Sequence, residues 1–325
     1  MRHDNICIMK NFDFIKPVAL IVIIATVLTI TTCSHKTETA NDIAADTANV
    51  ANSEINSALA KEECKNVIQP TMAMQQMIRE RDSIETVRKK EEEEKRNTPS
   101  IIKNAVTDID GNTYNAVKIG QQIWMSENLR TTHYADGTYI KQGSSSSVST
   151  AYWYYPSNKS SAMQNYGLLY NWSAVMNGEA SSNRKPSDVQ GICPDGWHVP
   201  SDAEWTQLTN YVSSQNQYRC SNISANIAKA LASKTGWKDS PYTCTVGNVS
   251  SSNNATGFSA LPAGGYYWGM LTSLSTSFSN FAYFWSATAT DRSGAYYRGL
   301  DYEEANVSKG NNYRADGFSV RCVKD

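Results

Sequence analysis

GICPDGWHVPSDAEWTQL, residues 191 to 208, decides how this chain folds. Ser201 is followed three positions later by Glu204. That S-x-x-E spacing is a capping box, in which the serine hydroxyl and the glutamate carboxylate each satisfy a backbone amide at the start of a helix. The spacing predicts a helix from Asp202 to about Val212, with Trp205 and Leu208, three residues apart, facing inward. Pro200 ends the segment before it, and Cys193 and His198 lie in the approach.

Working outward, YGLLYNWSAVM (166 to 176) sets Leu168, Leu169, Trp172, Val175 and Met176 at helical spacing, a second helix with a buried face. Ser224 to Ser233 reads as a third, shorter helical stretch ended by Thr235-Gly236. Beyond Gly257 the chain turns to short aromatic and β-branched runs separated by Gly, Ser and Asn, which predicts an antiparallel sheet with surface loops. On the other side, two alternating runs flank Asp110-Gly111-Asn112 and predict a β-hairpin. Asp108, Asp110 and Asn112 also resemble the start of a calcium loop, but the following Gly and the distal Glu of that pattern are missing, so the hairpin is the better reading. The class is α+β.

Upstream of this region the chain is tripartite. Residues 17 to 32 form an uncharged apolar run after Lys10 and Lys16, too short for a spanning helix of about 20 residues. It ends Ile30-Thr31-Thr32-Cys33, which resembles a bacterial lipobox. Residues 1–32 are therefore read as a lipoprotein signal peptide, with Cys33 the lipidated residue and the membrane engaged through that anchor. The stretch 33–60 is poor in large apolar residues and reads as a flexible linker. The stretch 61–98 holds long helix formers and the run RKKEEEEKR. It reads as a charged helical stalk rather than an oligomerising coil, because Arg81 and Arg88 interrupt the stripe of Met74, Met77, Ile84 and Val87. Asn97-Thr98-Pro99-Ser100 breaks that helix, and the domain occupies 99–325.

Lys and Arg total 30 against 31 acidic residues, a net charge of −1, which speaks against nucleic acid as a partner. Four cysteines, Cys193, Cys220, Cys244 and Cys322, fall in the domain. An even number in an exported chain implies two disulfides, with three pairings open. A zinc site is the weaker reading, since there is no C-x-x-C pair and the domain histidines are His133 and His198. Cys64 in the stalk has no evident partner and could couple two chains, and Cys7 lies in the leader.

Six phrases occur in a characteristic order: IGQQIWMSENL (119 to 129), YGLLYNWSAVM, the opening GICPDGWHVPSDAEWTQL, GFSALPAGGY (257 to 266), FWSAT (284 to 288) and GFSVRCVKD (317 to 325). Together, from about Ala105 to Asp325, they resemble the Fibrobacter succinogenes major paralogous domain, found on secreted and lipoprotein chains of Bacteroidetes and Fibrobacteres. The resemblance implies a C-type lectin-like fold with two main helices, paired terminal strands and long loops. It also implies Cys193 paired with Cys322, which leaves Cys220 with Cys244 and a closed loop worth about 3 kcal/mol. Trp124, Trp172, Trp197 and Trp285 lie inside the shared phrases and are expected in the core.

No nucleophile motif, HExxH helix or phosphate loop is present, so no enzyme activity, cofactor or metal is expected. His198 is expected to be a packed, hydrogen-bonded residue rather than a catalyst. Enzymes of the formylglycine-generating type resemble this scaffold and are the alternative, but they rely on a reactive cysteine pair, and here all four cysteines are expected in disulfides. A purely structural envelope component is a further alternative. The Glu-Pro-Asn, Gln-Pro-Asp and Trp-Asn-Asp triplets of calcium-dependent lectins do not occur. The candidate contact residues are aromatic clusters in polar loops: Tyr152-Trp153-Tyr154-Tyr155, Tyr266-Tyr267-Trp268 and Tyr296-Tyr297. Asp301, Glu303 and Glu304 follow in one late loop and are expected to be a solvated surface. The expectation is a surface lipoprotein at the outer membrane, periplasmic or surface-exposed, that binds polysaccharide, glycoprotein or an envelope protein without calcium.

Overall fold

The structure is a computed structural model that describes residues 71–267 and 277–325. Cys7, Cys33, Cys64, the 33–60 linker, the beginning of the 61–98 segment and Trp268 therefore lie outside the described residues. The chain divides into two compact units, Met1–Thr86 and Val87–Asp325. The long helix formers give one helix, Met72–Asn97. Its Met77, Ile84 and Val87 are all more than half exposed, and Arg88 pairs with Glu92 one turn on at 3.7 Å. Among the described residues no helix is long and apolar enough to cross a membrane.

After Pro99 the described strands follow in chain order. They are β1 (Ser100–Thr107), β2 (Thr113–Ile119), β3 (Gln122–Met125), β4 (Lys141–Gln142), β5 (Tyr152–Tyr154) and β6 (Leu169–Asn171). Then come β7 (Trp197–His198), β8 (Phe281–Ala289), β9 (Gly294–Asp301), β10 (Ser308–Tyr313), β11 (Gly317–Phe318) and β12 (Val323–Lys324). They make three sheets: β1-β2-β3-β12-β7, β10-β9-β8 and β11-β6-β5-β4. All pairs are antiparallel except β4 with β5. With the helices this makes the domain α+β.

The expected hairpin is β1 and β2, turned about Gly111 at φ 81°, a conformation glycine adopts without penalty. Of the side chains that suggested calcium, Asp108 is engaged within the hairpin with Asn112 and Tyr114, and Asp110 is engaged outside it with Thr131, Thr132 and His133. Asp108 accepts from the Asn112 amide at 2.9 Å and from the Tyr114 hydroxyl at 2.6 Å. The last strand returns to this hairpin: Val323 lies opposite Trp124 on one side and His198 on the other.

The capping box forms as the sequence predicts. Ser201 Oγ accepts from the Glu204 amide at 3.1 Å and Glu204 Oε2 from the Ser201 amide at 2.9 Å, starting a helix that runs Asp202–Ser214. Its Trp205 and Leu208 are buried, with the Trp205 ring 4.6 Å from Trp124 and near Phe258 and Phe284. A second core cluster gathers Trp153, Trp172, Trp197, Trp285 and Phe318. Both disulfides pair as the resemblance implied, Cys193 with Cys322 and Cys220 with Cys244.

Two helices come out shorter than their spacing predicted. Of residues 166–176, Trp172–Met176 is helical, Tyr166 ends a separate short helix, Met163–Tyr166, and Leu169–Asn171 is β6. Gly167, at φ 75°, breaks the run, and β5 and β11 claim the backbone of Leu169, Tyr170 and Asn171. The side chain of Asn171 then caps the short helix, accepting from the Ala174 amide at 3.1 Å. Of 224–233 only Ala228–Leu231 is helical. The Ala228 amide donates to Ala305, and Ala232 is drawn into a bridge with Ala260.

Candidate functional site

Burial divides the first aromatic cluster, whose strand β5 is covered on both sides. Trp153 is 5% exposed and donates its indole N–H to the Ile140 carbonyl at 2.8 Å. Tyr154 is 2% exposed, stacks on Tyr266 at 3.8 Å with 9° between the rings, and donates its hydroxyl to the Ser145 carbonyl. These two rings belong to the interior. Tyr152, Tyr155 and Tyr266 are half-buried.

One ring of each of the other two clusters, Tyr267 and Tyr297, meets the other at Tyr283 on the β8-β9-β10 sheet. In its register Phe281 faces Asp301, Tyr283 faces Gly299 and Gly310 faces Tyr297. Opposed residues of an antiparallel pair share a face, so Phe281, Tyr283, Tyr297 and Asp301 project together. The glycines let the rings lie on the sheet. A Cβ on Gly310 would sit 2.5 Å from the Tyr297 hydroxyl, and one on Gly299 3.2 Å from the Tyr283 ring. Tyr267 joins from the side, 6.4 Å from Tyr283 and 6.0 Å from the buried Phe318. Tyr283 and Tyr297 cross edge to face at 5.3 Å, and Phe281 stacks on Tyr283 at 5.4 Å. All four of Tyr267, Phe281, Tyr283 and Tyr297 are half-buried, each with a surface left to solvent.

Burial pushes the Tyr283 phenol up to about 12, and the phenols of Tyr267 and Tyr297 also upward, so all three are neutral near pH 7. Asp301 closes the end of the face, its carboxyl also pushed up by burial, with Oδ1 accepting from the Glu303 amide at 3.0 Å. Glu303 and Glu304 are exposed, the solvated surface the sequence suggested. A set of half-exposed rings ended by a carboxylate can stack on flat, weakly polar surfaces and accept hydroxyl donors.

The opposite face of the same sheet carries the cations. Arg298 Nη1 meets Asp202 Oδ1 at 2.5 Å and Lys309 Nζ meets Asp202 Oδ2 at 2.7 Å. Tyr296 lies on that side, under Lys309 Nζ at 4.3 Å. The Tyr296-Tyr297 pair is thus split between the two faces, and only Tyr297 joins the aromatic face.

His198 is 3% exposed and packed, as expected, between Glu204 and Asp325. His133, which the sequence did not single out, donates or accepts at Asp110 Oδ1 across 2.5 Å beside a shallow cleft of about 200 Å³. Asp110 also accepts from Thr131 and Thr132, which holds its carboxyl below the usual range although burial opposes this. Among the described residues no three His, Cys, Asp or Glu side chains are grouped to hold a metal. Sequence reading also missed Tyr283 and Phe281. They stand just ahead of FWSAT, whose Trp285 was expected in the core, and the alternation of Phe281, Tyr283 and Trp285 was the available indication that they share one side of a strand.

The family model described as the Fibrobacter succinogenes major domain matches residues 117–324. That span contains both disulfides, the capping-box helix and every residue of the aromatic face. Neither the curated proteins nor the solved structures contain a match to the chain.

Proposed function

The chain belongs to the Fibrobacter succinogenes major domain family, and on that premise we propose that it is a lipid-anchored envelope protein whose C-type lectin-like domain binds glycan without calcium and without turnover. The observation that carries this reading is the aromatic face: Tyr267, Phe281, Tyr283 and Tyr297 keep surface open to solvent on a sheet whose Gly299 and Gly310 let the rings lie flat. Rings of this kind bury apolar C–H faces of pyranoses at little cost in side-chain entropy. The four domain cysteines are all in disulfides, which argues against a reactive pair on this scaffold. The apolar run ending at Cys33 supports the lipid anchor.

The test is an array of polysaccharides and glycoprotein glycans probed with the full-length protein in chelator. Binding that drops on Tyr283→Ala or Tyr297→Ala, with unchanged circular dichroism, is the expected result. No binding to any glycan overturns the reading, and a protein captured instead by cross-linking replaces glycan with an envelope partner. For the anchor, Cys33→Ser is expected to move the protein from the membrane fraction to the soluble one.

A further inference from the structure

The β8-β9-β10 sheet separates its charges by side. Its strands carry two cations, Arg298 and Lys309, and both reach Asp202 on the helix side, Arg298 with a further bond to Thr206 Oγ1 at 2.8 Å. Neither is available to a ligand on the aromatic face. The nearby cations are engaged as well. Arg314 lies over the Trp172 ring at 4.2 Å and donates to the Gly294 carbonyl. Lys238 sits over the Tyr302 ring at 4.5 Å, donates to its hydroxyl and is close enough to Glu303 to attract it, whereas Asp301 has no such cation among the described residues. Arg292 is exposed in the β8-β9 turn, at the other end of the hairpin from Asp301. What the aromatic face does present is three neutral phenols and a phenyl ring, with Asp301 at its end and Glu303 and Glu304 just beyond.

We infer that this face selects neutral glycans and rejects anionic ones, the discrimination coming from Asp301; the inference rests on the glycan-binding reading above. A neutral chain can bring its C–H faces onto Tyr283 and Tyr297 and donate a hydroxyl to Asp301. A uronate or sulfate ester lying along the same rings approaches a carboxylate with no opposing cation, across a low-dielectric protein wall that screens the repulsion poorly. The arrangement is rejection by an unpaired like charge in addition to attraction by the rings.

The experiment titrates the full-length protein with a panel of neutral polysaccharides, each paired with its carboxymethylated or sulfated form, at low and high salt. Neutral members are expected to bind at least about tenfold more tightly than their anionic partners at low salt, with the gap narrowing as salt rises. Asp301→Asn is expected to narrow the gap by improving anionic binding, while Gly310→Ala, which displaces the Tyr297 ring, weakens neutral binding and leaves the fold intact by circular dichroism. Equal or tighter binding of the anionic forms, dependent on Tyr283 and Tyr297, overturns the selectivity and keeps the glycan reading. Binding to neither form overturns both.

Discussion

Both ring nitrogens of His198 end on carboxylates, Nε2 on Glu204 Oε1 at 2.8 Å and Nδ1 on Asp325 Oδ1 at 2.7 Å. A neutral imidazole has one N–H, so only the imidazolium serves both partners. Burial alone would lower its pKa, but the hydrogen bonds to Glu204 and Asp325 outweigh it and raise the value above the usual 6.5. A histidine whose folded pKa is raised contributes stability fully below its unfolded pKa and loses it as pH rises through the folded one. In denaturant titrations the wild type is expected to exceed His198→Gln by about 1–3 kcal/mol near pH 6, with the difference shrinking towards pH 9. A difference that is flat or grows with pH contradicts the assignment. Asp202 shows the opposite sign. Burial would raise its pKa, but Lys309 and Arg298 hold it below the usual range, so its contribution is present above the unfolded carboxylate value and fades in acid. Asp202→Asn leaves the Arg298 guanidinium, its side chain 4% exposed, without its carboxylate. The expected cost is about 3–5 kcal/mol by urea unfolding, and a loss below about 1 kcal/mol would show the pair to be dispensable.

At the scale of elements, legibility in the sequence followed how local the determining interaction is. The capping-box helix was readable because Ser201 and Glu204 satisfy each other three residues apart. Ser201→Ala removes the acceptor for the Glu204 amide and the donor to the Arg184 carbonyl, and is expected to cost about 1–2 kcal/mol in thermal or chemical unfolding. An unchanged midpoint would mean that neighbouring contacts, and not the cap, start the helix. The Asp110-Gly111-Asn112 turn was readable for the same local reason. The 166–176 segment was not, because Leu168, Leu169, Trp172 and Val175 fit helical spacing equally well, and β6 exists only because β5 and β11 lie beside it. The candidate site was half legible. Tyr267 and Tyr297 stood out as aromatic pairs in polar loops, whereas Tyr283 joins them through the register of β8 on β9, and that register also sends Tyr296 to the opposite side. Trp153 and Tyr154, adjacent to other rings in sequence, are buried because β5 is covered on both sides.

For the whole domain, closure depends on the final strand, and two buried devices meet there. Arg321 is fully buried, and its guanidinium donates to Asn128 Oδ1 at 2.7 Å and to the carbonyls of Met125, Phe258 and Ser259. Its ring neighbours are Phe258 at 4.7 Å and Phe284 at 5.5 Å. Burial pushes its pKa down to about 9, still charged near pH 7. A lysine has three donors in a different geometry and cannot reproduce this fork. The next residue, Cys322, is tied to Cys193 across 129 positions, so β3 through Met125, the Phe258-Ser259 segment and the approach to the helix all converge on two consecutive side chains. The Cys220–Cys244 bridge closes only 24 positions, in a loop that ends far from that convergence in sequence. Chain entropy gives about 5 kcal/mol for the longer closure and about 3 kcal/mol for the shorter. Replacing Cys193 and Cys322 by Ala is therefore expected to lower the denaturation midpoint more than replacing Cys220 and Cys244. It is also expected to expose the amides of β3, β7 and β12 to hydrogen exchange together, since Val323 of β12 is paired with both β3 and β7. Loss of the shorter bridge should loosen only the 220–249 loop. If instead both double variants lose the same stability and the same protection, the last strand is held by packing of Trp124, Trp197 and Val323 and not by its covalent closure.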